Sequence, residues 1–396
     1  MALVDIKTTN EAVWAEVSLR ALAENYERLL AAADGAEILA VVKADAYGHG
    51  AVACAQALVQ AGAQWLGVTD AAEGMLIRAV VPDTARILLM RGLMAAECEA
   101  VVAARLTPVV WTLGQLDALE AALRGAEAQS FAVHVEIDTG MTRQGVTVDD
   151  LPKLLARFTA ESPLRLEGVM THFAAAEDVA SPQNAVQMQM FKEALEQVHC
   201  AQLEPEWIHA GSTSTVDAGV LLPGLLRVAQ QMGARLMCRT GIGLYGYALA
   251  LTGAASHVRG ELDPVLAWKT RILSLSEVES GASVGYNGTF VAERPMRLAL
   301  LPVGYADGLR RELSSAGEVL IGGKRARIVG RVSMDVVSVD VTAIPDAKAS
   351  DEVVILGMQG RESITAEDHA RLAGTIAYEI LCGIHVRVPR VYLSRD

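Results

Sequence analysis

No two cysteines in this chain stand at C-x-x-C spacing. The five present, Cys54, Cys98, Cys200, Cys238 and Cys382, are scattered and odd in number. A disulfide framework and a cysteine zinc site are both disfavoured, no metal is expected, and a reducing cytoplasm is the simplest home. Runs of Lys or Arg are missing, and the formal net charge is -13, which argues against nucleic acid as a partner. No stretch of about 18 uncharged apolar residues exists, so no membrane span is expected. Residues 1–10 lack the basic stretch and apolar core of a signal peptide. Charged residues are only 20% against 52% hydrophobic ones, the balance of a globular protein with ample core. At 396 residues the chain exceeds what one core usually serves, so two domains are expected.

What is present is an alternation. Apolar runs at Glu37–Lys43, Gln64–Thr69, Arg86–Met90, Thr107–Trp111, Phe131–Asp138, Arg165–Phe173, Trp207–Ser212 and Leu236–Tyr245 read as strands. Stretches with helical spacing lie between them, including Ala51–Ala61, Leu113–Arg124 and Asn184–His199, and a helix at Leu19–Ala33 opens the series. The pattern predicts an α/β fold, a (β/α)8 TIM-like barrel over residues 15–250. A doubly wound open sheet is the alternative, but no G-x-G-x-x-G follows the first strand, where its nucleotide loop belongs. From Leu251 to Pro264 the chain reads as a linker. Beyond it, β-rich runs and one helix at Ala366–Leu381, capped by Thr365, predict a smaller, mainly β domain over residues 251–396. Trp14–Val17 fits as a strand of either domain.

Polar residues collect where the predicted strands end. The first strand runs into Lys43-Ala44-Asp45-Ala46-Tyr47-Gly48-His49-Gly50. A barrel carries its active site at the C-terminal ends of its strands, and a partly desolvated lysine there serves as an amine nucleophile or Schiff-base former. Taken singly, Lys43 reads better as a lysine reaching out to solvent. It has company: Asp138–Arg143 after strand five, Thr171-His172-Phe173 at strand six, His209–Ser214 at strand seven and Arg239–Gly243 after strand eight. Hydroxyls and Gly-flanked amides after strands seven and eight suit a phosphate. A phosphate there and a lysine on strand one would bracket a phosphorylated aldehyde cofactor.

These segments, with VGYNGTF, GYADG, GRVSMD and the tail YEILCGIHVRVPR, resemble the alanine racemase family along nearly the whole chain. The resemblance implies a barrel binding pyridoxal 5'-phosphate (PLP), a β domain that the first strand of the chain, from residues 1–14, joins, and a head-to-tail homodimer with shared sites. It implies that Lys43 carries the cofactor and acts as one catalytic base. Tyr286 matches the second base. Tyr47, Thr213, Gly241, Ile242 and Tyr378 match phosphate contacts, with Ser212 and Ser214 as neighbours that leave the hydroxyl's register open. His172 matches a histidine near the cofactor ring, and Arg239 the arginine on the pyridine nitrogen. Arg143 matches the arginine near the cofactor's phenolic oxygen and the substrate carboxylate, and Tyr305 and Met334 the substrate entrance. Tyr286, Tyr305 and Met334 are implied to serve the partner subunit. The implied reaction interconverts L- and D-alanine and supplies D-alanine for peptidoglycan. Racemisation of serine or of a broad range of amino acids, and PLP-dependent decarboxylation, are the alternatives. The chain departs from the family at Glu136, where a carbamylated lysine is common. Arg143 is the partner expected for that carboxylate.

Overall fold

The computed structural model describes residues 11–125 and 130–393, so residues 1–10, part of the expected N-terminal strand segment, lie outside it. Two compact units form. One comprises Leu22–Ala46 and Ala51–Asp263; the other combines the segment ending at Ala21 with Tyr47–Gly50 and the chain from Pro264 onward.

The first unit is the expected barrel. Its strands are β1 (Glu37–Val41), β2 (Trp65–Val68), β3 (Arg86–Leu89), β4 (Thr107–Val110), β5 (Phe131–Asp138), β6 (Leu164–Met170), β7 (Trp207–Ser212) and β8 (Arg235–Thr240). Each pairs in parallel with the next, and β8 pairs with β1 through Met237–Thr240 against Glu37–Ala40, closing the sheet. Parallel strands covered on both faces must be apolar throughout, hence the unbroken Ile38-Leu39-Ala40-Val41, all buried. Asn25, fully buried on the opening helix, donates to Leu244 O at 3.1 Å and Asp263 O at 2.8 Å. The stretch after Leu251 is less of a linker than its composition suggests: Asp217 Oδ1 accepts from Ser256 Oγ and from the backbone N–H of His257 and Val258. One buried carboxylate satisfying three donors is enough to pin a Gly- and Ser-rich segment.

The second unit is a ten-stranded, mainly antiparallel sheet. Val13–Ser18 belongs to it, antiparallel to Leu266–Arg271 and parallel to Arg390–Leu393. Leu266–Arg271 alternates buried and half-buried positions, as a strand with one covered face does. The expected helix after Thr365 is two helices. Thr365 and Asp368 form a reciprocal capping box that starts Ala366–Ala373. Gly374, at φ 68°, stops it, and Ala377–Cys382 follows. Among the described residues no helix is long and apolar enough to cross a membrane.

Candidate active site

After β1 the chain enters a turn, Lys43–Gly48, of inverted hand. Ala44, Asp45, Ala46 and Tyr47 have φ of 52°, 52°, 54° and 53°. Four successive L-residues in this region cost about 1–2 kcal/mol each, so the surroundings must impose the conformation. Ala44 N donates to Glu73 Oε1 at 2.7 Å, and Asp45 Oδ1 accepts from Ala51 N at 2.7 Å. Gly48 O accepts from Arg390 Nε at 2.9 Å. A Cβ on Gly48 would meet Leu381 O at 2.4 Å. The sequence shows the glycines but not the left-handed turn, because alanine, aspartate and tyrosine do not advertise positive φ.

Arg239, near the end of β8, is buried and fully engaged at its two terminal nitrogens. Nη1 donates to His209 O at 2.8 Å and reaches His209 Nδ1 at 3.3 Å. Nη2 donates to Thr171 O at 2.8 Å and reaches His172 Nδ1 at 3.0 Å. A guanidinium only donates, so His172 presents Nδ1 as acceptor and keeps its proton on Nε2. Burial, then the charges of Arg239, Arg143 and Lys43, push the His172 imidazole down to about 3. His172 is therefore neutral at working pH, and those three cations gather around it. No partner for Arg239 Nε occurs among the described residues, so its N–H is left for a ligand acceptor.

Glu136 is buried on β5, and burial raises its carboxyl against the pull of Arg239, a hydrogen bond from Gln144, and Arg143. The expected Glu136–Arg143 pair is absent among the described residues. Gln144, one residue further, donates to Glu136 Oε2 at 2.5 Å. Arg143 is exposed, in a loop that Thr142 enters at φ 55°. Asp138 Oδ1 holds that loop by accepting from Gly140 N and Thr142 N.

Thr213 opens a short helix after β7, and its Oγ1 accepts from Gly241 N at 3.3 Å and Gly243 N at 3.4 Å. The structure thus joins Thr213 to the Gly241-Ile242 loop. Ser212 caps the helix and Ser214 lies within it, both beside Thr213. A Cβ on Gly243 would sit 2.8 Å from Thr213 Cγ2. Gly241–Gly246 matches G-x-G-x-x-G, but it follows the last strand and opens a 3-10 turn rather than a nucleotide-binding helix. The Thr213 hydroxyl at the Gly241–Gly243 loop, a strand-end lysine, a buried Arg239 and the surrounding cations fit a phosphorylated pyridine aldehyde.

The β unit carries the remaining positions. Tyr47 and Tyr378 stand 5.9 Å apart between ring centroids. Tyr286 sits in a 3-10 turn after Gly285, with 67% of its surface exposed. Tyr305 N donates to Ser333 O and Ala306 N to Met334 O, so Tyr305 and Met334 share one surface, and both are exposed. Arg387 fastens these loops, donating to Asp307 Oδ1 and Asp335 Oδ1 at 2.7 Å each. The ion pair gives Asp335 of GRVSMD and Arg387 of the tail a part that spacing alone did not reveal.

Fold and site define a class: a barrel enzyme with a mainly β second unit and a lysine, histidine and two arginines gathered at the barrel's strand ends. The family descriptions "Alanine racemase, N-terminal domain" and "Alanine racemase, C-terminal domain" match residues 17–249 and 265–392. The alanine racemase of Syntrophobacter fumaroxidans is 39% identical over 375 residues, covering 94% of this chain and 95% of its own. That of Halothermothrix orenii is 36% identical over 396 residues, covering 98% and 99%. Among solved structures, the alanine racemase of D-cycloserine-producing Streptomyces lavendulae aligns with a TM-score of 0.89 at 33% identity, over 98% of this chain and 99% of its own. The alanine racemase of Bartonella henselae, solved with covalently bound pyridoxal phosphate, aligns with a TM-score of 0.81 at 28% identity, over 97% and 100%. The chain belongs to the alanine racemase family.

Proposed function

We propose that this protein racemises alanine with PLP carried on Lys43, working as a homodimer in the cytoplasm and supplying D-alanine for peptidoglycan. The observation that carries the reading is Arg239: both terminal nitrogens are committed to His172, His209 and Thr171, and the charges of Arg239, Arg143 and Lys43 converge on a neutral His172. Bound there, PLP acidifies the Cα proton of an amino acid.

The chain's own residues do the rest. Thr213, Gly241, Ile242, Tyr47 and Tyr378 would hold the phosphate. Lys43 takes or returns the Cα proton on one face, and Tyr286 of the partner subunit serves the other. Its high exposure, shared with Tyr305 and Met334, suits a surface that completes a neighbour's site. Arg143 orients the substrate carboxylate. Arg239 stays cationic; beside the ring nitrogen of a bound cofactor it would keep a proton off that nitrogen and limit side reactions such as transamination.

The test is purified protein supplied with PLP and each L-amino acid in turn, with optical rotation followed to completion. Loss of rotation with L-alanine is expected. Equal rates with L-serine would widen the substrate range, and release of carbon dioxide and amine would make the enzyme a decarboxylase.

A further inference from the structure

Beneath Arg239 the barrel interior holds a column of polar side chains that no residue of the proposed reaction explains. His209 Nε2 lies 2.8 Å from His134 Nδ1, and His134 Nε2 lies 3.3 Å from Glu167 Oε2. Both histidines are fully buried and Glu167 is 1% exposed. Glu167 in turn accepts from Arg86 Nη2 at 2.5 Å and Arg165 Nη2 at 2.7 Å. Arg86 lies over Trp65, 4.5 Å from its ring, and lines an open crevice with Trp65 and Trp207.

The column is built, not incidental. The β5–β6 register shifts between Val133 and His134, leaving Glu167 as an extra residue opposite them. Such a bulge re-aims a side chain. Gly168 makes room, since a Cβ there would lie 2.5 Å from His134 Nδ1.

Its proton positions follow from its two ends. Arg239 cannot accept, so His209 Nδ1 must, and the His209 proton sits on Nε2. Glu167 as a carboxylate cannot donate, so the His134 proton sits on Nε2 and its Nδ1 accepts. Both ends demand the same pair of tautomers. Burial is the chief cause that pushes both imidazoles down, so neither ring carries a second proton.

We propose that Glu167, His134 and His209 form a positioning relay: the carboxylate fixes His134, His134 fixes His209, and His209 presents a lone pair that holds the Arg239 guanidinium in register. The relay rests on the reading of Arg239 as the cation facing the cofactor. Its members touch neither cofactor nor substrate, so they are positioning residues. In the opposite tautomers His209 would turn an N–H on an N–H of Arg239, and the guanidinium would lose one of its four acceptors.

The test is nitrogen NMR on the holoenzyme labelled at histidine and arginine, without substrate. In wild type His134 and His209 should each be neutral with the proton on Nε2, and Arg239 should show resolved, slowly exchanging guanidinium signals. His134→Gln offers His209 an acceptor and Glu167 a donor, so both signatures should survive. His134→Leu offers neither; the Arg239 signals should average, and kcat should fall by up to about a hundredfold with KM little changed, as displacement of a positioning group predicts. A His209 proton on Nδ1 in wild type overturns the relay, and so do sharp Arg239 signals in folded His134→Leu. Failure of the racemase reading looks different: the wild-type signals would be as described while alanine is not turned over.

Discussion

Gln144 Nε2 bridges Glu136 Oε2, at 2.5 Å, to Met90 O, at 3.1 Å. The buried carboxylate is thus tied to the loop after β5 by a neutral amide, and Arg143 stays exposed. The side-chain hydrogen bond to Glu136 comes from Gln144, while Arg143 acts on the carboxylate through its charge.

Removing that amide should cost stability and activity together. Gln144→Leu strips the carboxylate of its side-chain hydrogen bond, at about 1–3 kcal/mol for a buried polar group. Glu136→Gln should lower turnover, because the Arg143 loop loses its anchor charge. Glu136→Lys should recover activity only with bicarbonate, to which wild type is indifferent. Steady-state kinetics with and without bicarbonate, beside urea melts, check this; wild-type kinetics in Glu136→Gln would show that the carboxylate does not anchor the loop.

The inverted turn after Lys43 makes opposite predictions at two positions. Ala44→Gly removes left-handed strain at an exposed residue and should raise stability by up to about 1 kcal/mol. Gly48→Ala puts a Cβ against Leu381 O and should lower it by about 1–3 kcal/mol. Thermal melts that moved in the same direction for both would contradict the strained turn.

Acid should weaken the fold before any carboxylate needs protonating. Burial holds His134, His172 and His209 below their ordinary value, and His369 down to about 4. Between the ordinary histidine value and these depressed ones the unfolded chain binds protons that the folded chain refuses. Stability therefore falls as pH drops through about 6.5. Glu136, raised by burial, works the other way but is one group against four. The urea midpoint should be lower at pH 5 than at pH 7; a higher midpoint at pH 5 would overturn the neutral-histidine assignment.

Shared sites can be tested by mixing. Lys43→Ala should neither retain PLP through desalting nor show the visible absorbance of lysine-bound cofactor. Tyr286→Phe should retain both. If Tyr286 serves the partner subunit, the mixed dimer has one intact site and activity should return on subunit exchange. Continued inactivity after demonstrated exchange would assign Tyr286 to its own chain's site.

The barrel was legible because its strands are covered on both faces and so appear as apolar runs; all eight expected strands are present with edges shifted by a few residues. The eighth strand stops at Thr240, short of the expected Tyr245, because the chain turns at Gly241 into a 3-10 turn over Ile242–Tyr245. Strand-end residues such as His172 and Arg239 could be found by position alone. The Glu167–His134–His209 column could not, because it joins three strands through side chains and depends on a bulge. Gln144 was hidden for a related reason: charge complementarity favours Arg143, and only the loop's backbone shows which neighbour reaches the carboxylate.

If two bases on opposite faces, Lys43 and Tyr286, move the Cα proton of alanine, each face should exchange that proton independently. The direct measurement is solvent deuterium entering Cα of L- and of D-alanine, followed separately with Tyr286→Phe. Wild type should label both enantiomers. The variant should label only the enantiomer whose Cα proton faces Lys43, with no inversion. Labelling of both enantiomers at wild-type rates by Tyr286→Phe would contradict the account.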